Sequence, residues 1–550
     1  MAVAGRLFRL GRRGSIGWPT GWPSLGQLWT FLGIFLPALA ALLVPMPAID
    51  LTYQLRAGAA ILAGAGIPSV DTWTFTVAGA PWLDQQWGAQ VLLSAVFQAT
   101  GWTGLAILRA ALVALTFALL LGAIRSAWSI ASVRSGGSAV ASSARTATLV
   151  VLAFFVVAAP ALALRPQLFA IVLFAATLRI LVERSRHPRR LWLIPPMAAL
   201  WANLHGSFPL VVVLVGLAWL DEVALLRVPT PAGHPRLPLP RRLLGSTGLA
   251  LMGALSALAT LLNPFGIDAW RYIENLARDP AITSEISEWR PPSPLDPAGF
   301  VFYLSLVVIL GVLAFRFRSD QGRPPARFFA PILTVVVFGI LGIATGRGLA
   351  WWAIAAPVAM VQLQPGLRLA DLQRVRGLPP LRARTAREAS ASEGRRSPLN
   401  AIVIGVLVVA AIALLPLWRP VGPAGVPIAV VSYAPQGIAH KLQALVRAGQ
   451  LPRGARVWAP QTWGSFLEWA APDVRVAVDS RIELFPPPVF QDADEIATGA
   501  LGWLSTLQVR RVDALVLDAG GPSHRLSDIS ASPDWKQAYA DDDGSIWLRT

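Results

Sequence analysis

Residues 29–54 read WTFLGIFLPALAALLVPMPAIDLTYQ, an apolar run followed at once by polar side chains. The run itself, residues 29–46, approaches the length of about 20 apolar residues that a transmembrane helix needs. It follows a basic N-terminal segment, so we predict an uncleaved first span with a cytoplasmic N-terminus. Asp50 then stands where the chain leaves the membrane, and an acid kept at that depth is a candidate functional residue because it is costly there.

The composition of the whole chain agrees with a polytopic membrane protein. Of its 550 residues, 55% are hydrophobic and 14% are charged, whereas a soluble domain carries about 25% charged residues. A net charge of +17 would suggest nucleic acid in a soluble protein, but here the arginines lie in short loops between apolar runs. The positive-inside rule explains that placement, so we expect no nucleic-acid partner. The lack of cysteine excludes disulfides and thiolate sites.

The apolar runs and the arginine clusters between them predict a topology. About eleven runs are long enough to cross a membrane, and the clusters mark the cytoplasmic loops. A shorter run, 89–99, is predicted to lie in the outer interface, because a crossing there would put the next basic cluster outside. The segment 191–226 lies between two cytoplasmic clusters, so it should cross twice, with an outer turn at 203–207.

The expected fold class is a polytopic all-α membrane protein of about eleven transmembrane helices with a small C-terminal exterior α/β domain. The predicted parts are a basic cytoplasmic N-terminus (1–27), a transmembrane domain (28–364) with its first outer loop at 47–101, a disordered Arg-rich cytoplasmic loop (365–399), a last span (400–419) and the exterior domain (420–550). In that domain, hydrophobic patterning predicts strands at 456–459, 474–478 and 512–517, helices at 465–471 and 499–507, and a hairpin joining 537–540 to 545–548.

Three residues of the predicted outer loops are the leading candidates for chemistry. Asp50 is a candidate base; alternatively it caps a helix at 51–63, which would not exclude catalysis. Arg165 and Arg347 each stand alone in a tight outer loop, against the charge bias. Each of these arginines either binds a phosphate through its planar fork or pairs with a nearby acid.

Other polar side chains in the same loops are candidates for substrate binding. They are Tyr53, Gln54, Arg56, Asp84, Asn203 and His205. Asp84 lies in an aromatic and amide cluster, 82–87, suited to sugar or headgroup contact, although interfacial anchoring explains its tryptophans equally well. The turn 203–207 is either functional or a structural hydrogen-bond network. No metal site is expected, because no second His or Cys has metal-ligand spacing.

These features resemble the GT-C superfamily of integral-membrane glycosyltransferases, which use lipid-phosphate sugar donors. The resemblance rests on Asp50 after the first span and on a Gly-Trp-x-Gly-Leu-x-x-x-Arg stretch that leads into the second (Gly101, Trp102, Gly104, Leu105 and Arg109). An exterior α/β domain after the last span is also similar to several members. The type resembled depends on polyprenyl-phosphate sugars and includes protein mannosyltransferases and aminoarabinose transferases.

The resemblance implies an enzyme of the bacterial inner membrane that moves a hexosyl or pentosyl group from polyprenyl phosphate to an exterior glycan, lipid or protein, with inversion. Asp50 would deprotonate the acceptor hydroxyl, and Arg165 or Arg347 would stabilise the leaving phosphate. No cofactor is implied. Metal dependence stays open, because Leu51 follows Asp50 where many members have a second acid, and Arg165 stands in an outer loop where many members have an acid.

Two other functions remain open from the residues. A transporter or flippase of lipid-linked sugars would be expected to have ionisable span centres and paired broken helices, whereas the charges here cluster at the outer rim. A non-catalytic envelope scaffold would use the exterior domain. The residues that would line a glycan site there are Trp463, Trp469, Asp479, Ser480, Arg481 and Glu483. Alternatively they are ordinary core tryptophans and a strand-end acid, which is the interpretation we favour. The long loop 263–298 is either an acceptor lid or solvated charge.

Overall fold

The computed structural model describes residues 21–134, 143–226, 239–278, 287–319, 329–363 and 392–550. Most of the predicted cytoplasmic N-terminus (1–27) and Arg-rich loop (365–399) lies outside these residues. The disorder expected of that loop therefore stays a prediction, as does the side of the membrane on which each segment lies.

Helices make up most of the first 420 residues. In chain order they are α1 (Leu25–Leu43), α2 (Ala48–Leu62), α3 (Trp87–Arg134), α4 (Ala144–Ala158), α5 (Pro166–Val182), α6 (Ile194–Leu204), α7 (Pro209–Leu226), α8 (Leu239–Ala259), α9 (Asp268–Arg278), α10 (Pro297–Ser319), α11 (Phe329–Ala344), α12 (Gly348–Leu363) and α13 (Pro398–Ala413). The segment 191–226, which was predicted to cross twice, contains the two helices α6 and α7, and the turn between them follows Leu204.

The membrane character of the chain is evident in these helices. Within the described residues, four segments are long and apolar enough to cross a membrane: Leu25–Leu43, Trp87–Ile130, Ala144–Ala161 and Pro297–Phe315. Shorter apolar helices occupy Pro166–Val182, Gly245–Ala259, Phe329–Ala344, Gly348–Leu363 and Pro398–Ala413. The total of about eleven spans stays a prediction.

Helix α3 is broken at Gly101, whose φ of 61° and ψ of −155° are not helical. A positive φ costs glycine little because it has no Cβ. The break separates the apolar stretch 89–99 from the long helix that follows it. The sequence predicted such a separate short helix; its position in a membrane interface stays a prediction.

The C-terminal domain is the predicted α/β unit. Its helices are α14 (Gln436–Arg447), α15 (Gln461–Ala470), α16 (Pro487–Thr498), α17 (Trp503–Val509) and α18 (Ser523–Ala531). Two short strands, β1 (Met46–Pro47) and β2 (Val431–Ser432), lie outside its main sheet. The main sheet contains β3 (Ala455–Trp458), β4 (Val474–Val476), β5 (Ala514–Asp518), β6 (Trp535–Ala540) and β7 (Gly544–Arg549). The strand order is β4-β3-β5-β7-β6, parallel from β4 to β5 and antiparallel from β5 to β6.

The predicted strands and the terminal hairpin are confirmed. The predicted start of the helix at 499 is wrong, because the observed helix begins later. Gly499 and Gly502 have φ values of 67° and 94°. The first ends α16 and the second precedes α17, so the helix starts only at Trp503.

The loop between α2 and α3 packs against the C-terminal domain through backbone hydrogen bonds. Thr74 forms a parallel bridge with Val476, and the amide of Phe75 donates to the Val476 carbonyl at 3.1 Å. Nearby, β1 pairs in parallel with β2. The loop thus extends the edge of the sheet at β4, which places the domain over the N-terminal end of α2.

A buried ionic cluster lies in this interface. The guanidinium of Arg481 contacts the indole rings of both Trp73 and Trp82, with its central carbon 4.5 and 4.6 Å from their centroids. It pairs with Asp71 of the loop at 2.7 Å, and with Asp479 and Glu468 of the domain. We call these four charged residues the Arg481 cluster; their side chains are all 0% exposed.

The neutral form of Glu468 reduces the excess of negative charge in the cluster. Burial raises the pKa of Glu468 well above its ordinary value, and the nearby Asp479 raises it further. A buried carboxyl group beside a second acid favours its neutral form. Arg481 then faces two carboxylates rather than three.

Removing the cation should destabilise the whole interface. We expect Arg481→Leu to lower the free energy of unfolding by about 3–5 kcal/mol, because it leaves buried carboxylates without a counter-charge. Denaturant unfolding of the purified protein in detergent measures this loss. Arg475→Leu, at an exposed position on β4, is the matched control and should change stability by less than about 0.5 kcal/mol. Equal effects of the two changes would contradict the account.

The raised pKa of Glu468 also predicts a pH dependence. The folded protein holds this proton more tightly than the unfolded chain, whose glutamate titrates near 4.5. The resulting stabilisation is complete below that pH and is lost as the pH rises through the folded pKa. The melting temperature of the wild type should therefore fall more steeply with rising pH than that of Glu468→Gln, whose amide does not titrate. Parallel melting curves across pH 5–9 would exclude this role.

Candidate functional site

A cavity of about 420 Å³ lies where the helical part meets the C-terminal domain. Six of the predicted site residues line it: Asp50, Tyr53, Gln54, Arg165, His205 and Arg347. The C-terminal domain contributes Tyr433, Gln461, Thr462, Ser480, Ile482 and Glu483. The volume falls in the range of about 300–1,000 Å³ that is usual for small-molecule sites. Residues far apart in sequence therefore form one site.

Asp50 occupies the first turn of α2 but does not cap it. The helix begins at Ala48 after Pro47, so the predicted helix start at 51 and the capping role are both wrong. The carboxylate instead accepts a hydrogen bond from Arg165 Nη1 through its Oδ2 atom at 3.1 Å. Within the described residues no hydrogen bond involves Oδ1, and the side chain is 29% exposed. One carboxylate oxygen of Asp50 is thus available to a ligand in the cavity.

The C-terminal domain holds this turn in place. The hydroxyl of Ser480 donates a hydrogen bond to the carbonyl of Ile49 at 2.7 Å. Ser480 lies between Asp479 and Arg481, both members of the buried cluster. The ionic cluster and the residue before Asp50 are therefore joined by one side chain.

Glu288 joins the two predicted arginines. Its Oε1 accepts from Arg165 Nη2 at 2.7 Å, and its Oε2 accepts from Arg347 Nε at 3.2 Å. Burial alone would raise the pKa of Glu288, but the two guanidinium charges outweigh it and hold the pKa below its ordinary value. Glu288 therefore stays ionised and keeps both arginines oriented.

Arg347 retains donors for a ligand. Its guanidinium lies over the ring of Trp289, with 4.9 Å between the guanidinium carbon and the ring centroid. Its Nε atom pairs with Glu288, whereas its two terminal nitrogens have no hydrogen-bond partner in the described part of the chain. Trp289 also lines the cavity, and its buried indole N–H has no partner there. These donors fit an anionic ligand.

His205 is neutral and acts as a hydrogen-bond donor rather than a base. Its Nδ1 accepts from the backbone amide of Ser207 at 3.1 Å and lies 2.8 Å from the Ser207 hydroxyl. The proton of the neutral ring is therefore on Nε2. Burial, followed by the charges of Arg347 and Arg165, lowers the pKa of His205 to about 3. Trp201 Nε1 donates to the same hydroxyl at 3.1 Å, which fixes the arrangement.

Three predicted substrate-binding residues lie outside the cavity lining and make structural contacts. Arg56 stacks on Trp73 at 4.7 Å and donates to the Glu468 carbonyl. Asp84 is buried, and its Oδ1 accepts from Gln90 Nε2 at 2.6 Å. Asn203 accepts from Trp87 Nε1 and donates to two backbone carbonyls. These contacts connect the loop before α3 to its surroundings.

The sequence did not predict the position of several residues of the site. From the sequence, Glu288 was predicted only to belong to a lid or to be a solvated charge. It could have been identified because two isolated outer arginines need a counter-charge. Glu483 was assigned to a possible glycan site of the C-terminal domain, but it lines the cavity. There the hydroxyl of Tyr272, from the long loop, donates to it, and burial raises the pKa of both groups.

The site shows no arrangement for a metal. Within the described ranges, no group of three or more His, Cys, Asp or Glu side chains could hold an ion. The charged groups of the cavity pair with one another instead.

Comparison with solved structures identifies the fold. The crystal structure of the apo oligosaccharyltransferase of Archaeoglobus fulgidus matches with a TM-score of 0.51 and 12% sequence identity, over 90% of this chain and 70% of that one. This chain has the GT-C fold. The resemblance stated from the sequence is confirmed at that level.

A second solved structure is also similar to this chain, whereas sequence comparisons find no match. A structure of the archaeal oligosaccharyltransferase AglB from the same organism, in complex with an inhibitory peptide and a dolichol-phosphate, has a TM-score of 0.49 and 12% identity, over 89% of this chain and 69% of that one. No protein-family model and no curated protein sequence matches the chain.

The protonation of His205 can be tested directly. We expect ¹⁵N spectra of histidine-labelled protein to show His205 as the Nε2–H tautomer, unchanged between pH 5 and 8, because a pKa of about 3 leaves it neutral throughout that range. The spectrum of His205→Gln assigns the signal by its disappearance. Titration of that signal between pH 5 and 8 would refute the neutral donor.

Proposed function

We propose that this protein is a membrane glycosyltransferase that moves a sugar from a polyprenyl-phosphate donor to an acceptor hydroxyl with inversion. The observation that carries the proposal is the cavity of a GT-C fold in which Asp50, with one free carboxylate oxygen, lies beside two arginines. The matched fold belongs to an oligosaccharyltransferase, which agrees with a sugar-transfer reaction. Fold likeness alone does not give a substrate, so the site must support it.

The free N–H groups of the cavity favour a phosphate-linked sugar. Asp50, Arg165, Glu288 and Arg347 sum to zero formal charge, so recognition of a phosphate depends on these N–H groups rather than on net charge. The unpaired terminal nitrogens of Arg347 and the indole N–H of Trp289 supply donors that match phosphate oxygens. A neutral His205 adds a donor without adding charge.

The proposed reaction is a single displacement. As the acceptor oxygen forms its bond to the anomeric carbon, its proton passes to Asp50 Oδ1. The bond between that carbon and the phosphate oxygen breaks, and the electron pair remains on the departing polyprenyl phosphate. Arg165 and Arg347 stabilise the extra negative charge on the phosphate, because their orientation is already fixed by Glu288. Arg165 also holds Asp50 in place for proton transfer.

The apolar helices are suited to a lipid-linked substrate. We propose that the protein resides in the bacterial inner membrane with the cavity and C-terminal domain on the exterior side, where a glycan, lipid or protein would be the acceptor. The domain boundaries predicted from the sequence belong to the same proposal. Tyr53, Gln54, Arg165, His205 and Arg347 are the proposed substrate-binding residues.

The role of Asp50 predicts a sharp loss of activity. Asp50→Asn should lower transfer of labelled sugar from membrane-extracted polyprenyl-phosphate donors by at least about 100-fold, the usual contribution of a general base. Binding of donor should change little, because the amide occupies the same volume. Asp268→Asn, at an exposed acid of the long loop, is the matched control and should leave transfer unchanged.

The outcomes separate the rival functions. Full transfer by Asp50→Asn would remove the proposed base. Donor binding without transfer by the wild type would instead favour a transporter or a scaffold.

A further inference from the structure

A second part of the cavity lining is uncharged and rich in amides. Gln54 comes from α2, whereas Gln85 and Gln86 come from the loop before α3. We call these three residues the amide wall. They are distinct from the arginines and acids that carry the proposed chemistry, so their ligand must be recognised by neutral hydrogen bonds.

Gln54 has an unused acceptor inside the protein. Its side chain is 0% exposed, and its Nε2 atom donates both to the Tyr53 hydroxyl at 2.5 Å and to Gln86 Oε1 at 2.7 Å. Oε1 is buried and has no partner among the described residues. Nε2 is the atom that faces the Gln86 carbonyl oxygen, an acceptor, so within the described residues the atom of Gln54 left free is the acceptor Oε1.

Gln85, in the loop before α3, also has a buried carbonyl oxygen without a partner among the described residues. The residue is 5% exposed, and its Oε1 atom is also buried without a partner in the described part of the chain. Native proteins pair the great majority of buried polar atoms, because an unpaired one loses its hydration without compensation. Both residues line the cavity, so two such oxygens indicate a ligand that completes them.

The chemistry of these atoms defines the ligand. A carbonyl oxygen accepts hydrogen bonds, so its partner must donate an O–H or N–H. An ionised phosphate diester has no such donor, whereas each hydroxyl of a sugar ring has one. We infer that the amide wall binds the sugar of the lipid-linked donor by accepting hydrogen bonds from its ring hydroxyls.

This inference rests on the proposed function and assigns a separate task within the same site. The arginines bind the phosphate, and the amide wall reads the sugar attached to it. A site with buried acceptors discriminates strongly against a ligand that lacks the matching hydroxyls, because the acceptors then stay unpaired. The amide wall therefore determines which donor is bound.

The test compares lipids with and without the sugar. Purified full-length protein in lipid nanodiscs is titrated with polyprenyl phosphate and with its glucosyl, mannosyl and arabinosyl derivatives, without any acceptor. The variants are Gln85→Met and Gln54→Met, which keep side-chain length but remove the amide. Gln98→Met, at an exposed position on α3, is the matched control. Thermal unfolding of each variant verifies that it is folded.

We expect the wild type to bind at least one glycosylated lipid more tightly than polyprenyl phosphate. Gln85→Met and Gln54→Met should weaken that binding about 10-fold while leaving the affinity for polyprenyl phosphate within about 2-fold, since only the hydrogen bonds to the sugar are lost. Gln98→Met should change neither affinity.

Three results would overturn the inference in distinguishable ways. Equal weakening for lipids with and without sugar would show that the glutamines only shape the cavity. A wild type that binds every glycosylated lipid no better than polyprenyl phosphate would show that the amide wall does not bind the donor sugar. A wild type that binds none of the lipids would overturn the proposed function together with the subsite.

Discussion

The burial of Arg481 is the constraint on which the site depends. A guanidinium with no access to solvent requires its counter-charges in place, and here one of them, Asp71, belongs to the loop after α2 while the others belong to the C-terminal domain. The loop and the domain can therefore pack in only one register without leaving a charge unpaired. The two tryptophans of the loop that contact the guanidinium reinforce that register.

The position of Asp50 follows from this packing. Ser480, next to Arg481, donates to the carbonyl of Ile49, so the residue before the proposed base is held by the same segment that forms the ionic cluster. Arg165 then fixes one oxygen of Asp50 and is itself fixed by Glu288. Each charged group thus has at least one partner that orients it, while Asp50 Oδ1 and the terminal nitrogens of Arg347 keep capacity for a ligand. A site of this kind is oriented before substrate binds, which is the source of most electrostatic stabilisation in enzymes.

The sequence predicted those features that local pattern encodes. Asp50, Arg165, His205 and Arg347 stand out because each is a polar residue at the end of an apolar run. Helical spacing explains why Asp50, Tyr53 and Gln54, at positions i, i+3 and i+4, share one face and reach the cavity, whereas Arg56 points to another side. The strands of the C-terminal domain were likewise visible as short apolar runs between turns.

The remaining features depend on contacts between distant segments. The part that Glu288, Glu483 and Ser480 play in this cavity is not encoded locally, because their neighbours in space come from elsewhere in the chain. The capping role expected of Asp50 was wrong because the helix starts three residues earlier than the apolar pattern suggested, which turns the carboxylate towards Arg165. Asp84 and Asn203 form hydrogen bonds that hold the loops together, and neither residue lines the cavity.

The central claim is that one cavity binds the phosphate at the arginines and presents the sugar to Asp50. An electron cryomicroscopy structure of the wild-type protein with a bound polyprenyl-phosphate sugar tests it most directly. The account predicts phosphate oxygens within about 3 Å of guanidinium nitrogens of Arg165 or Arg347, the usual hydrogen-bond distance, with Asp50 on the opposite side of the anomeric carbon. A phosphate bound outside this cavity, or on the same side of that carbon as Asp50, would contradict it.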